Sequence, residues 1–149
     1  MSTLLAFDTS YLYFRAFFGV PATFRALDGR PVNAVRGTLD FISRLTAQYS
    51  PDTLVCAWDD DWRPAWRVDL LPSYKAHRVV EVDDAEQELV DDDLTVQVPL
   101  IRECLDALGI PVVGVAQHEA DDVLASLARQ HDGTSLVVTG DRDLFQLVD

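Results

Sequence analysis

Residues 3–8 read TLLAFD, an apolar run of strand length that ends in an acid. Because polar residues do not alternate with the apolar ones, the run is typical of a parallel strand that is covered on both faces. Similar short apolar runs recur along the chain, each followed within a few residues by acids. They predict strands at Thr3–Phe7, Thr53–Trp58, Pro111–Val115 and Ser135–Thr139.

Segments with helical periodicity separate these strands. Apolar residues recur at spacings of three and four over Ala34–Tyr49, Val98–Leu108 and Glu119–Gln130, which predicts amphipathic helices there. A further helix start is predicted at Asp141. Alternating strands and helices indicate an α/β fold with a mostly parallel sheet and right-handed crossovers.

Acidic residues gather after the predicted strands. In an open parallel sheet the carboxyl ends of the strands form the ligand-binding edge. Carboxylates collected there repel one another unless a cation lies among them, and ligand sets made only of oxygen suit Mg²⁺ or Mn²⁺. The sequence therefore predicts a divalent-metal site and phosphoryl chemistry. The candidate ligands are Asp8, Asp59, Glu119, Asp121, Asp122, Asp141 and Asp143.

The net charge of −13 argues, taken alone, against a nucleic-acid partner. Much of this charge is local, however, because Glu81–Asp93 carries eight acids in thirteen residues. That stretch shows little helical or strand periodicity, so residues 79–97 are predicted to be an acidic, mobile segment. The local distribution of charge must therefore decide which partners the protein binds.

Several classes of protein are disfavoured. The N-terminus lacks the pattern of a signal peptide, and no apolar run approaches the ~20 residues that span a bilayer, so we expect a cytoplasmic protein without a membrane partner. Cys56 and Cys104 lie in apolar patterns and are predicted to be reduced core thiols. The three histidines lack the spacing of a zinc site, and no glycine-rich phosphate loop is present.

A basic group lies between the second and third predicted strands. Lys75 and Arg78 are three residues apart and would share one face of a helix. Next to a metal centre, such a pair can hold a phosphate and offset charge that develops in a transition state. An ordinary solvated basic patch explains the same residues. Further candidates for phosphate contacts are Arg15, Arg63 and Arg67.

The motifs together resemble a known family, the bacterial 5′–3′ exonucleases or flap endonucleases, which include the N-terminal nuclease domain of bacterial DNA polymerase I. The order and spacing of the motifs carry this resemblance over almost the whole chain. The matching stretches are Phe7-Asp8, Trp58-Asp59, Tyr74–Arg78 (YKAHR), Glu119–Asp122 (EADD) and Thr139–Leu144 (TGDRDL).

The resemblance implies a PIN-like α/β nuclease that uses two divalent ions, Mg²⁺ or Mn²⁺, to activate water and to clamp a phosphodiester. It implies that Asp143 serves the second ion and the other six acids the first. Lys75 and Arg78 would touch the scissile phosphate from the base of a helical arch that runs roughly from Arg78 to Val98. The implied substrates are DNA with 5′ flaps, nicks, gaps or free 5′ ends, and Arg15 and Arg67 are further predicted DNA contacts.

Two departures from the family pattern affect this interpretation. The arch region is strongly acidic and would repel a DNA strand. A further acidic motif for the second metal and a helix–hairpin–helix element are absent up to Asp149, so residues 1–149 are expected to be the front part of the catalytic domain. A PIN-type ribonuclease and a non-catalytic DNA-junction binder remain alternatives.

Overall fold

A computed structural model describes residues 1–82 and 85–149. Its main sheet has four parallel strands in the order β5-β2-β1-β6, so the first strand lies inside the sheet. This mostly parallel sheet, flanked by helices, confirms the predicted α/β fold. Each strand lies within two residues of its predicted start; the bounds are β1 Ser2–Asp8, β2 Thr53–Ala57, β5 Val112–Val113 and β6 Gly133–Val138.

The predicted helices form with starts one residue away from those expected. The start predicted at Asp141 forms a 3₁₀ turn over Arg142–Leu147 instead of an α-helix, and a second 3₁₀ turn spans Ala76–Arg78. The short helices α3 and α4 were not predicted. The α-helices are α1 Thr9–Gly19, α2 Asn33–Tyr49, α3 Ala65–Leu70, α4 Asp92–Thr95, α5 Gln97–Ala107 and α6 Ala120–Gln130.

The continuous apolar run of β1 is explained by burial on both faces. Leu5 and Phe7 belong to a core shared with α1, α2 and α5. Leu4 and Ala6 belong to a second core, which packs against α6. Since successive side chains of a strand point to opposite faces, only a run without polar alternation can fill both cores.

A buried amide pair joins the helices on one side of the sheet. Gln97 Oε1 accepts hydrogen bonds from the backbone N–H groups of Ala34 and Val35, at 2.8 and 3.2 Å. Gln97 Nε2 donates to Asn33 Oδ1 at 2.9 Å and to the carbonyl of Asp93 at 2.8 Å. The first turn of α2 thus finds partners for donors that a helix start leaves free.

A close approach of two helices also depends on residue type. A Cβ atom at Gly37 of α2 would lie 2.5 Å from Ala16 Cβ and 3.1 Å from Ala16 Cα in α1. No side chain fits at that distance. Gly37 therefore allows α1 and α2 to pack tightly, which fixes the position of the helix that begins at the end of β1.

The acidic segment differs from the prediction. Val79–Val82 (β3) pairs antiparallel with Ala85–Glu88 (β4), so the described residues form a hairpin. The arch that the resemblance implies is therefore not helical over these residues, whereas the mobility of the segment stays a prediction. The β-branched valines of β3 favour extended backbone, and Val79 and Val80 are half-buried. Asp83 and Asp84 of the predicted segment lie outside the described residues.

The sequence also predicted that the two cysteines are reduced thiols in the core. Cys56 is buried and Cys104 half-buried, and both are free thiols. Burial raises the pKa of the Cys56 thiol to about 11, which keeps it protonated and unreactive.

In residues 1–82 and 85–149, no helix has the length and apolar character needed to cross a membrane.

Candidate active site

A cavity of about 770 Å³ opens at the carboxyl edge of the sheet. All seven predicted acids line it, because each follows a strand that ends at this edge or begins the helix after it. Three of the predicted cationic residues line it as well: Arg67, Lys75 and Arg78. The arrangement places many negative charges and a few positive ones around one solvent-filled space.

Asp8 is the most buried of the aspartates, with 7% of its surface exposed. Its side chain caps α1: Oδ1 accepts from Ser10 Oγ at 3.1 Å and from the Tyr11 backbone N–H at 3.4 Å. Thr139 Oγ1 donates to Oδ2 at 2.9 Å. Burial nevertheless raises the pKa of Asp8, with a contribution from nearby Asp59. The carboxylate is thus held in place but short of positive charge.

The start of α6 gathers three of the acids. Asp59, which follows β2, accepts a hydrogen bond from the Ala120 backbone N–H at 2.7 Å. Glu119 and Asp122 form a capping box, in which the Glu119 N–H donates to Asp122 Oδ2 at 3.0 Å. The EADD motif therefore has a structural role as a helix cap, and the same cap aims its carboxylates at the cavity.

Cationic and phenolic groups surround Glu119, whose surface is 3% exposed. Arg67 Nη1 donates to Glu119 Oε2 at 2.5 Å, and the Tyr74 hydroxyl donates to the same oxygen at 2.6 Å. Lys75 Nζ forms an ion pair with Glu119 Oε1. These partners supply the hydrogen-bond donors and the positive charge that a buried carboxylate requires.

The basic group adopts a different backbone from the predicted helix. Lys75 lies in the left-handed region, with φ 50° and ψ 19°, and precedes the 3₁₀ turn. Its Nζ also donates to the Trp62 carbonyl at 2.8 Å. Arg78 lies 3.7 Å from Glu88 of the hairpin, and both residues line the cavity. The turn thus brings Lys75 and Arg78 to the same cavity, as a shared helical face would have done.

The acids after β6 connect back to Asp8. The Asp141 N–H donates to Thr139 Oγ1 at 3.0 Å, and Asp141 Oδ1 accepts from the Asp143 N–H at 2.9 Å. Burial, together with a hydrogen bond shared with Asp141 and the charge of Asp8, raises the pKa of Asp121 to about 7. Buried Asp121 therefore lies beside other acids without a cation that would favour its charged form.

The side chains are spread around the cavity. Within the two described ranges, no group of three or more His, Cys, Asp or Glu side chains is placed to hold one metal ion. Arg67, Tyr74 and Lys75 account for part of this, because they engage Glu119 and Asp122. The donor set still fits a hard divalent ion, since it contains only oxygens and places several acids close enough to raise the pKa of buried Asp121.

Some predicted residues lie elsewhere, and some contributors were missed. Arg15 is exposed and lies outside this cavity. Arg63 donates to the carbonyls of Pro72 and Tyr74 and so holds the loop that follows α3. The partners supplied by Tyr74 and Thr139 were not predicted, although both residues stand inside the motifs that carry the resemblance. Glu88 was missed because its position depends on the hairpin.

Residues 3–149 match the model of the 5′–3′ exonuclease N-terminal resolvase-like domain. The chain belongs to this family. The match confirms the resemblance inferred from the acidic and YKAHR motifs. It extends over almost the full sequence, including the hairpin region in which this chain departs from the expected helical arch.

Curated relatives agree with the family match. A 5′–3′ exonuclease of Streptomyces coelicolor is 58% identical over 144 residues, which cover 95% of this chain and 48% of the relative. DNA polymerase I of Caldicellulosiruptor bescii is 36% identical over 149 residues, which cover 98% of this chain and 16% of the relative. The chain thus spans about half the length of one relative and a smaller part of the other.

Solved structures share the fold. A bacteriophage T5 5′-exonuclease with bound zinc superposes with a TM-score of 0.69 at 20% identity, covering 99% of this chain and 52% of that one. A bacteriophage T5 flap endonuclease in a pseudo-enzyme-product complex with DNA and metal ions gives 0.64 at 19% identity, covering 94% and 49%. At these identities the likeness establishes the architecture of the sheet and helices.

Proposed function

We propose that this chain carries the catalytic site of a divalent-metal-dependent 5′ nuclease that hydrolyses phosphodiester bonds of DNA at 5′ ends and 5′ flaps. The observation that carries the proposal is the convergence of seven carboxylates with Lys75 and Arg78 on one cavity at the carboxyl edge of the sheet. Membership of the 5′–3′ exonuclease family supports it. Carboxylates and cations that line one cavity suit a scissile phosphate bound together with a divalent ion.

Five acids are the proposed metal ligands of first choice, because Arg67 and Lys75 do not engage them. A divalent ion, Mg²⁺ or Mn²⁺, would supply Lewis-acid activation of water and stabilisation of the leaving oxygen. Two ions are proposed for the complete family site. Glu119 and Asp122 would become metal ligands as well if Arg67 and Lys75 released them to bind the substrate phosphate. The five acids are Asp8, Asp59, Asp121, Asp141 and Asp143.

Lys75 and Arg78 are the proposed catalytic residues. Both line the cavity, and both lie in the turn segment that follows α3. Their N–H donors can bind the phosphate oxygens, and they bind more strongly as negative charge grows in the transition state. Arg67 is already bound by two carboxylates, so we propose that it positions the acids and contacts DNA only secondarily.

The proposed substrate is DNA with a 5′ flap, nick, gap or free 5′ end, and the proposed location is the cytoplasm, where bacterial DNA is replicated and repaired. The T5 flap endonuclease complex with DNA and metal ions, which has the same fold, supports this choice. The acidic hairpin is the feature that a DNA strand must accommodate, since Glu86 and Glu88 already pair with Arg63 and Arg78.

The test is cleavage of a labelled 5′-flap DNA, beside the same flap made of RNA, in Mg²⁺ and in Mn²⁺. We expect DNA cleavage that a chelator abolishes and that Asp141→Asn reduces at least a hundredfold. Asp106→Asn is the matched control, because Asp106 is an exposed acid of α5 outside the cavity. It should cleave like the parent protein.

Other outcomes select the alternatives. Preferential cleavage of the RNA flap would favour a PIN-type ribonuclease. DNA binding that tolerates the chelator, without cleavage by any preparation, would favour a junction-binding module. Equal cleavage by Asp141→Asn and Asp106→Asn would contradict the assignment of the site.

A further inference from the structure

A second cavity of about 380 Å³ lies between α1 and α2, beside the first. Its lining includes two arginines, two aromatic residues and no acid, although the chain has a net charge of −13. We call it the Arg15–Arg44 groove. The lining residues used below are Tyr11, Arg15, Phe41 and Arg44.

Two guanidinium groups share one aromatic ring in this groove. The Cζ atom of Arg15 lies 5.7 Å from the centroid of the Phe41 ring, and that of Arg44 lies 5.3 Å from it. Arg15 also donates to the Tyr11 hydroxyl at 3.1 Å. Stacking on a ring restrains a long side chain and leaves its N–H groups free to bind an anion.

Neither arginine is neutralised by the part of the chain that the structure describes. Arg15 and Arg44 form no ion pair with a carboxylate of residues 1–82 or 85–149. By contrast Arg36, two turns earlier on α2, pairs with Asp40 at 2.9 Å. Positive charge without a partner in a strongly acidic protein forms a local attraction for anionic ligands.

The groove adjoins the active-site cavity. Tyr11 lines both cavities, so its side chain forms the boundary between them. Gly140, in the turn after β6, allows this placement, since a Cβ atom there would lie 2.3 Å from Tyr11 Cε2. A strand that leaves the carboxylates along this side would therefore pass over Tyr11 to the two arginines.

We propose that the Arg15–Arg44 groove binds the phosphate backbone of the DNA strand next to the nucleotides held at the active site. This inference rests on the proposed function. It assigns to Arg44 and Phe41 a role in holding substrate, and it explains how an acidic protein gains affinity for a polyanion away from its carboxylates. Cations interleaved with an aromatic surface are the usual platform for a nucleic-acid strand.

The test measures binding of a fluorescent 5′-flap DNA by anisotropy, in Mg²⁺ and at several salt concentrations. All proteins carry Asp141→Asn, so that the DNA stays intact. We expect Arg44→Gln and Arg15→Gln each to weaken binding about three- to tenfold and to lower the slope of log K against log salt by about one. Arg44→Lys should retain the slope, because it keeps the charge.

The control is Arg36→Gln, which removes a paired arginine from the same helix and should change binding less than twofold. Thermal unfolding of each variant checks that the fold is retained. Affinity and salt slope of Arg44→Gln equal to those of Arg36→Gln would overturn the inference while leaving the proposed function intact. Failure of every protein to bind the flap DNA, including the one whose single change is Asp141→Asn, would instead overturn the proposed function itself.

Discussion

Arg67 grips Asp122 through both of its terminal nitrogens, with Nη1 2.9 Å from Oδ2 and Nη2 2.7 Å from Oδ1. The same Nη1 donates to Glu119. Burial opposes the charge on Asp122, but the hydrogen bonds from Arg67 and from the Glu119 N–H, together with the charge of Arg67, outweigh it and hold the pKa of Asp122 below its usual value. One side chain of α3 thus contacts two acids of the α6 start.

Replacing Arg67 by glutamine should therefore destabilise the fold. Glu119 is almost fully buried and would lose a charged partner, so we expect the free energy of unfolding to fall by about 2–3 kcal/mol. Urea denaturation measures the change. The exposed ion pair of Arg36 and Asp40 provides the control, and Arg36→Gln should cost less than ~0.5 kcal/mol. Similar losses of stability for Arg67→Gln and Arg36→Gln would contradict the role of Arg67 as the charged partner of buried Glu119.

Lys75 gives a prediction about rate. If its ammonium binds the phosphate that gains charge in the transition state, Lys75→Gln should lower the single-turnover cleavage rate of a 5′-flap DNA about a hundredfold. DNA affinity should change far less than the rate. Arg30→Gln is the control, because Arg30 is exposed and its ion-pair partner among residues 1–82 and 85–149 is Asp28, two residues away. An unchanged rate for Lys75→Gln would remove Lys75 from the catalytic set.

The raised pKa of Asp121 predicts how stability depends on pH without metal. A folded-state pKa of about 7, above the usual 3.8, means that the folded protein holds a proton that the unfolded chain releases. The stability linked to this proton is complete below pH 4 and is lost as pH rises through 7. The shift of Asp8 acts in the same direction, and that of Asp122 acts only below about pH 4.

Thermal unfolding in a chelator should therefore show a falling midpoint from pH 5 to pH 8. Asp121→Asn should flatten this dependence, whereas Asp106→Asn should leave it unchanged. Adding Mg²⁺ at pH 8 should raise the midpoint of the parent protein, because a cation relieves the same repulsion. A midpoint that rises between pH 5 and pH 8 in the chelator would contradict the assignment of the proton to Asp121.

The buried amide pair of Gln97 and Asn33 predicts a large loss of stability when Gln97 is replaced by an apolar side chain of similar shape. Gln97→Met keeps most of the volume but leaves the N–H groups of Ala34 and Val35 without their acceptor. We expect a loss of about 3 kcal/mol in the free energy of unfolding, since two buried donors and the Asn33 oxygen lose partners. Gln130→Met, at the exposed end of α6, should be close to neutral.

Gly37 and Gly19 separate packing from helix propensity. Alanine raises the helix propensity at either position, but at Gly37 its methyl group would collide with the backbone and side chain of Ala16. Gly37→Ala should therefore destabilise the protein by about 1–3 kcal/mol. At Gly19 a Cβ atom meets nothing within 4 Å, so Gly19→Ala should be neutral or stabilising. Equal effects in a denaturation experiment would refute the close approach of α1 and α2.

The sequence predicted the fold where burial dominates. Leu4 to Phe7 are apolar because both faces of β1 are covered, and this pattern can be recognised without a structure. The site acids were predictable for a related reason, since each follows a strand or opens the next helix. Such positions depend on chain order alone.

The arch region could not be predicted in the same way. The many acids of Glu81–Asp93 suggested a solvated segment, whereas the valines of β3 pair with β4 and place Glu88 at the cavity. The ion pair between Lys75 and Glu119 could not be predicted from the sequence either. It depends on the left-handed backbone of Lys75 and joins residues that are 44 positions apart in the chain. Contacts of this kind arise from tertiary packing.

The position of β1 inside the sheet has a consequence for how the protein acquires its site. Residues 2–7 pair with residues 133–138, so a chain emerging from the ribosome exposes one edge of β1 until nearly all of the described fold has been made. Long-range parallel pairing of this kind is slow. Asp8 and Asp141 follow these two strands, and they come together only when that pairing closes. A nascent chain that lacks β6 therefore cannot hold the assembled carboxylates, and the site forms only after β1 and β6 have paired.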